Sequence, residues 1–219
     1  MQIIFEDKFI IVCEKPIGAS SEWTEEGYDM VTLLADYRAD RGEDDYIGVI
    51  HRLDKGVGGI MVYTKRNDTA GILSKQVSSG EFKKEYIALV EGHADDCGRM
   101  EDFLFHDSRK NKTYIAKNER KGVRKAVLEY ETVKRSTVGD QEYSLVKVRL
   151  LTGRTHQIRA QFASRRLPLL GDGKYGAKDS NVPICLYCHK LEFLHPRTKK
   201  PVEYTSLPDF NTGGWKRIK

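Results

Sequence analysis

The run Ile50-His51-Arg52-Leu53-Asp54 ends an apolar stretch with three polar side chains and leads into a glycine-rich loop holding Gly56, Gly58 and Gly59. Packing alone gives a buried strand no reason to end this way. An Asp at a strand-to-loop exit, flanked by a guanidinium and an imidazole, is placed to do chemistry or to grip a polyanion. An Asp that merely caps a glycine turn is the plainer reading of an isolated Asp-x-Gly. The rest of the chain counts against that reading.

These groups need elements to position them. Residues 3–12 read as a strand, followed by a turn at Lys15-Pro16-Ile17-Gly18. Met30, Leu33, Leu34 and Tyr37 repeat at helical spacing and predict a helix over 28–39. Residues 47–50 and 60–64 predict two strands around the Asp54 loop. A helix capped by Asn67 or Asp68 and ending near Gly80 follows, then a strand over 84–90. Residues 127–133 and 143–151 predict two long strands. In the second, Val146, Val148 and Leu150 face one side, and Lys147 and Arg149 the other. Thr155 is expected to cap a short helix with Ile158 and Phe162 on one face. Strands over 185–193 and 202–205 close the chain. Together these predict an α+β fold, a central mixed and mainly antiparallel sheet flanked by helices and loops.

With 219 residues, 39% of them hydrophobic and 32% charged, the chain can build a sizeable core under a well-solvated surface. No apolar run reaches membrane-spanning length, and no export signal opens the chain, so a cytoplasmic protein is expected. The net charge of +5 is unevenly spread. Residues 1–50 carry 4 Lys/Arg against 12 Asp/Glu, and the remainder 33 against 20. Residues 109–125 alone hold eight Lys/Arg and one acid, Glu119, with Tyr114 among them. A surface hairpin or loop of this composition can follow a phosphate backbone.

Cys185-Leu186-Tyr187-Cys188-His189 has the spacing of covalent haem attachment. That chemistry belongs to exported proteins, and the two thiols sit in an alternating, strand-like run where they pack as apolar groups. Zinc needs two further ligands at matching spacing, and Cys13 and Cys97 stand alone. No metal and no cofactor is expected.

Four segments occur in order: His51-Arg52-Leu53-Asp54 with Gly59, the run from Lys84-Glu85-Tyr86 to Gly92, Gly153-Arg154-Thr155-His156-Gln157-Ile158-Arg159, and Gly171-Asp172-Gly173-Lys174-Tyr175-Gly176. Leu191-Glu192-Phe193-Leu194-His195-Pro196 follows. The ordered set resembles the RluA-type family of pseudouridine synthases, over nearly the whole chain. The resemblance implies the pseudouridine synthase fold and isomerisation of uridine in ribosomal or transfer RNA without cofactor or metal. It implies that Asp54 is the nucleophile, on either the anomeric carbon or the uracil ring. Tyr86 matches the tyrosine that packs against the target base, and Arg159 the arginine that pairs with the aspartate. Physical chemistry suits these roles. Burial alone would neutralise a carboxylate, and a guanidinium opposes that and fixes its orientation. A uridine must also leave its stack to be reached. His51, Arg52, Lys84, Arg154, His156 and Tyr175 are the candidates for holding RNA.

The chain departs from the family pattern at Val57-Gly58, where Thr-Ser is usual, at Gln161 in place of a His, and at Leu186-Tyr187-Cys188 in place of Leu-His-Ala. None of these removes a proposed catalytic group. A single catalytic domain over 1–219, with no separate N-terminal RNA-binding domain, is expected to act as a monomer. The competing reading is a non-catalytic RNA-binding or ribosome-assembly factor on the same fold.

Overall fold

The computed structural model describes residues 1–218. In chain order its strands are β1 (Ile3–Glu6), β2 (Ile10–Lys15), β3 (Gly48–Val49), β4 (Gly58–Thr64), β5 (Lys83–Glu91), β6 (Cys97–Asp107), β7 (Lys112–Ala116), β8 (Val123–Val138), β9 (Gln141–Leu150), β10 (Leu186–Leu194) and β11 (Pro201–Thr205). The helices are α1 (Met30–Ala39), α2 (Asn67–Ser79) and α3 (Gln157–Ser164). No helix among these residues is long and apolar enough to cross a membrane. The chain divides into two units, Met1–Lys84 with Tyr187–Leu207, and Glu85–Leu186 with the residues from Pro208 onward.

The first unit is built on β4, which is buried along its whole length. Such a continuous apolar run, Ile60-Met61-Val62-Tyr63, is what a strand covered on both faces requires. Each of these side chains contributes roughly 1.5–3 kcal/mol of burial free energy. β2 pairs antiparallel along one edge of β4. On the other edge β3 pairs antiparallel at the C-terminal end, and β10 pairs in parallel at Gly58 and Gly59. β1 extends the sheet beyond β2, and β11 pairs with β10. The second unit is an antiparallel meander in the order β5-β9-β8-β6-β7. Ala160 of α3 joins Leu104 and Ala126 in a small cluster on this sheet. A mixed, mainly antiparallel α+β architecture is therefore present, as the alternation patterns predict.

Several local expectations change. Residues 3–12 form two strands, because the Asp7 carboxylate accepts the N–H groups of Phe9 and Ile10 and bends the chain between two equally apolar halves. Helix α1 starts at Met30, where the buried Asp29 carboxylate caps the N–H of Thr32 at 2.8 Å. Asn67 and Asp68 lie in the first turn of α2, whose cap is Arg66 without a side-chain hydrogen bond. Gly80 ends that helix in the left-handed region, as expected. Helix α3 is capped by His156 at φ 51°, not by Thr155. Ile158 and Phe162 are buried, but so are Gln157, Arg159 and Gln161, because the helix is enclosed and Gln157, Arg159 and the Gln161 amide nitrogen find internal partners.

The glycine-rich loop is shorter than expected, because Gly58 and Gly59 belong to β4. Gly59 lies at φ +127°, and a methyl group there would sit 2.4 Å from the Cys188 backbone N and O. Both the left-handed geometry and the close backbone approach demand glycine. Gly59→Ala is expected to destabilise the protein by about 3 kcal/mol or more. Urea unfolding of the variant checks this, and a loss within experimental error of zero contradicts the packing argument.

Candidate functional site

In the first unit, Asp54 opens a tight turn in which the Val57 N–H donates to the Asp54 carbonyl at 2.9 Å. The backbone on either side of it is tied down. On the N-terminal side, the Ser21 hydroxyl accepts the Leu53 N–H at 2.9 Å and donates to the Leu53 carbonyl at 2.8 Å. Ser21 is itself held by the Tyr63 hydroxyl, which donates to its carbonyl at 3.0 Å. On the C-terminal side, the Lys55 carbonyl accepts the Gly18 N–H and the Lys15 ammonium. Lys15 is 1% exposed, and its ammonium also donates to the carbonyls of Pro16 and Ala19. The half-buried Asp54 therefore stands on a turn whose two neighbours cannot drift.

The flanking cations differ in surroundings. Arg52 is exposed, and its guanidinium donates to Glu22 at 2.9 Å. Lys55 pairs with Glu26. Exposed pairs of this kind contribute about 0–1 kcal/mol and are readily exchanged for other anions. His51 is 5% exposed, and its Nε2 accepts the Val62 N–H. Burial, reinforced by the nearby Lys84 cation, holds His51 well below the usual imidazole range, so the ring is neutral. Burial likewise lowers the Lys84 ammonium, with Cys188 opposing the shift.

In the second unit, Tyr86 lies on β5 opposite Val148 of β9 and is 5% exposed. Arg159 is buried in α3. Its Nε and Nη2 donate to the two oxygens of Asp172 at 2.7 and 2.8 Å, a bidentate pair with side-chain exposures of 6% and 1%. The Arg159 guanidinium carbon lies 5.0 Å from the centre of the Tyr175 ring. Tyr175 Oη is 3.0 Å from His156 Nδ1 and accepts the Thr113 N–H at 2.7 Å. His156, Arg159 and Tyr175 are thus brought together. Arg154 stands apart on the surface, where its Nε donates to the Lys125 carbonyl. Of the hairpin or surface loop expected over 109–125, the structure has a hairpin that begins earlier, with β6 and β7 joined through a turn at Ser108–Asn111. Arg109, Lys110, Arg120, Lys121 and Arg124 are exposed on it and on the segment that follows.

Sequence reasoning gave no role to Asp172, Ser21, Lys15 or Thr113. Asp172 had a signal, a lone carboxylate between two glycines in a quoted motif, which in a buried setting demands a cation. The others carry none, since a Ser or Thr hydroxyl and a backbone N–H find partners only in the folded chain.

The sequence profile of the family described as RNA pseudouridylate synthase matches residues 9–164. The ribosomal large subunit pseudouridine synthase C of Buchnera aphidicola subsp. Baizongia pistaciae is 30% identical over 95% of this chain and 67% of its own length. The tRNA pseudouridine synthase C of Haemophilus ducreyi is 27% identical over 98% of this chain and 96% of its own length. The chain spans 60–67% of the length of the ribosomal large subunit relatives first matched. Human RNA pseudouridylate synthase domain containing 1 has the same fold, with a TM-score of 0.79 over 95% of this chain and 84% of that one at 19% identity.

The buried Lys15 generates a pH dependence. Burial, opposed by the Asp54 carboxylate, lowers its ammonium from 10.5 to about 8. The folded chain releases this proton before the unfolded chain does, so between those values the unfolded state binds more protons and stability rises with pH. Lys15→Met removes that slope, and between about pH 7.5 and about pH 9.5 the wild type should gain on the order of 1–2 kcal/mol relative to the variant. Urea titrations of both proteins at the two pH values measure it, and parallel curves contradict it.

Proposed function

Because this chain belongs to the RNA pseudouridylate synthase family, we propose that it isomerises uridine to pseudouridine in ribosomal or transfer RNA, with Asp54 as nucleophile. The observation that carries this is the matched span 9–164, which contains Asp54, Tyr86 and Arg159 in the order of the family's motifs. The reaction breaks the bond from uracil N1 to the ribose anomeric carbon and makes one from uracil C5 to that carbon. The hydrogen on C5 leaves as a proton and N1 regains one, so the product is an isomer and no redox partner is needed. Residues 1–219 act as one catalytic domain, as a monomer in the cytoplasm, without cofactor or metal.

Asp54 attacks either the anomeric carbon or the uracil ring. Tyr86 offers a flat surface to the flipped base and is the candidate for the later proton abstraction. Arg159 supplies the positive charge that keeps a carboxylate ionised away from water. Arg52 and Arg154, both exposed, are the candidates to meet phosphates. The buried His51 and His156 and the half-buried Lys84 are further candidates for holding RNA. The basic residues of 109–125 supply the electrostatic footprint on the RNA backbone.

RNA labelled with tritium at uracil C5, taken from cells lacking the protein, tests this reading. Wild type should release tritium, and Asp54→Asn should lose at least about a thousandfold in rate while binding the RNA almost unchanged. Substantial release by the variant refutes the nucleophile assignment. Absence of release by wild type, together with RNA binding, favours a non-catalytic binding factor. Replacing Lys110, Lys112, Arg120 and Lys121 with Ala should flatten the salt dependence of RNA binding by up to about three in log–log slope. An unchanged slope would mean that the hairpin does not meet the RNA.

A further inference from the structure

Strand β7 is the edge of the second unit's sheet, and the outward N–H groups of an edge strand ordinarily face water. The one at Thr113 does not. It donates to Tyr175 Oη at 2.7 Å, across 62 residues of sequence. The Thr113 hydroxyl, within reach of His106 Nδ1 at 3.1 Å, donates to the Thr155 carbonyl at 2.8 Å, directly beside the left-handed His156. One residue from Tyr175, the Lys174 ammonium donates to the Asn111 carbonyl at 3.0 Å. The turn end of the basic hairpin is therefore fastened at three points to the two segments that carry His156 and Tyr175.

Tyr175 also faces inward. Its ring lies 5.0 Å from the Arg159 guanidinium carbon. A guanidinium near an aromatic ring gains about 0.5–2 kcal/mol, more as water is excluded. The Asp172 carboxylate that forks with Arg159 lies three residues before Tyr175, on the same 3-10 turn, where the Tyr175 N–H donates to the Asp172 carbonyl at 2.9 Å. One short turn thus supplies both the anion and the ring that fix Arg159, and its phenol oxygen is fixed in turn by the hairpin backbone. That oxygen meets Thr113 N–H and His156 Nδ1 within the protein, an arrangement suited to holding and not to reading a base edge.

We propose that Tyr175 is a positioning residue, which transmits the placement of the basic β6–β7 hairpin to the Arg159 guanidinium. The inference rests on the synthase reading and deepens it. The hairpin that is expected to meet the RNA backbone also sets the orientation of a catalytic cation, so its contribution extends from binding into the rate of reaction. A merely RNA-contacting tyrosine would act on binding alone.

The test compares Tyr175→Phe, which keeps the ring and removes the hydroxyl, with Tyr175→Leu, which removes both. The probe is total RNA labelled with tritium at uracil C5, from cells lacking the protein. Single-turnover release at saturating enzyme gives the rate, and filter retention of the same RNA gives the dissociation constant. The expected result is a rate about tenfold lower for Tyr175→Phe and at least about a hundredfold lower for Tyr175→Leu, with both dissociation constants within about twofold of wild type. A Tyr175→Phe rate equal to wild type overturns the proposal. So does a dissociation constant weakened beyond twofold in Tyr175→Phe, which would make the hydroxyl an RNA contact. Equal rates in the two variants would overturn the part assigned to the ring. Absence of release by wild type would instead remove the synthase reading, and this inference with it.

Discussion

A buried carboxylate demands a cation, and the pair between Arg159 and Asp172 imposes that condition on the second unit. Removing the guanidinium leaves the Asp172 carboxylate buried without its cation, which costs several kcal/mol. Helix α3 and the turn that follows Gly171 must therefore keep a fixed separation, set by two parallel hydrogen bonds of 2.7 and 2.8 Å. The surrounding backbone takes unusual shapes to meet it. His156 enters α3 at φ 51°, and Gly171 lies at φ +86° with no room for a side chain against the Pro183 carbonyl. A non-glycine residue in the left-handed region is uncommon, and strain of this kind persists where the neighbouring structure enforces it. Here Gln157 does so, its side chain tying the Arg154 N–H, the Thr152 hydroxyl and the Val127 carbonyl to the start of the helix.

The first unit meets a related demand by different means. Asp54 stands on a turn, the least constrained kind of backbone, yet the role proposed for it as nucleophile requires one held geometry. Segment 15–21 provides the hold, with the Lys15 ammonium on the Lys55 carbonyl and the Ser21 hydroxyl on both polar groups of Leu53. These bonds act on the backbone, so they restrain the carboxylate without occupying it. A buried lysine in this place is electrostatically expensive, and its lowered affinity for a proton is the measure of that.

The acidic N-terminal section and the basic remainder acquire a meaning only in space. Glu6 and Glu43 both pair with Lys65, and Glu43 also with Arg38, forming a network within the first unit. Glu22 and Glu26 lie on Arg52 and Lys55, the cations beside Asp54. Four of the twelve acids counted in residues 1–50 thus pair with local cations. In the second unit the hairpin and the segment after it leave Arg109, Lys110, Arg120 and Lys121 exposed. This cluster of exposed basic charge is a property of that unit, not of an average over the chain.

The sequence by itself determined the two long strands β8 and β9, the alternation of β9, the helical spacing in α1, the strand at 60–64, and the ordered motifs that hold Asp54, Tyr86 and Arg159. These are local signals, because a side-chain period of two or of 3.6 is written into neighbouring residues. Tertiary structure alone decided that Asp172 meets Arg159, that Thr113 meets Tyr175 across 62 residues, and that Ser21 fastens Leu53 across 32. It also placed Gly58 and Gly59 in a strand and split residues 3–12 at Asp7. A polar group's need for a partner is visible in its own chemistry. Which partner answers it depends on which segments the sheet brings side by side, and no local pattern carries that information.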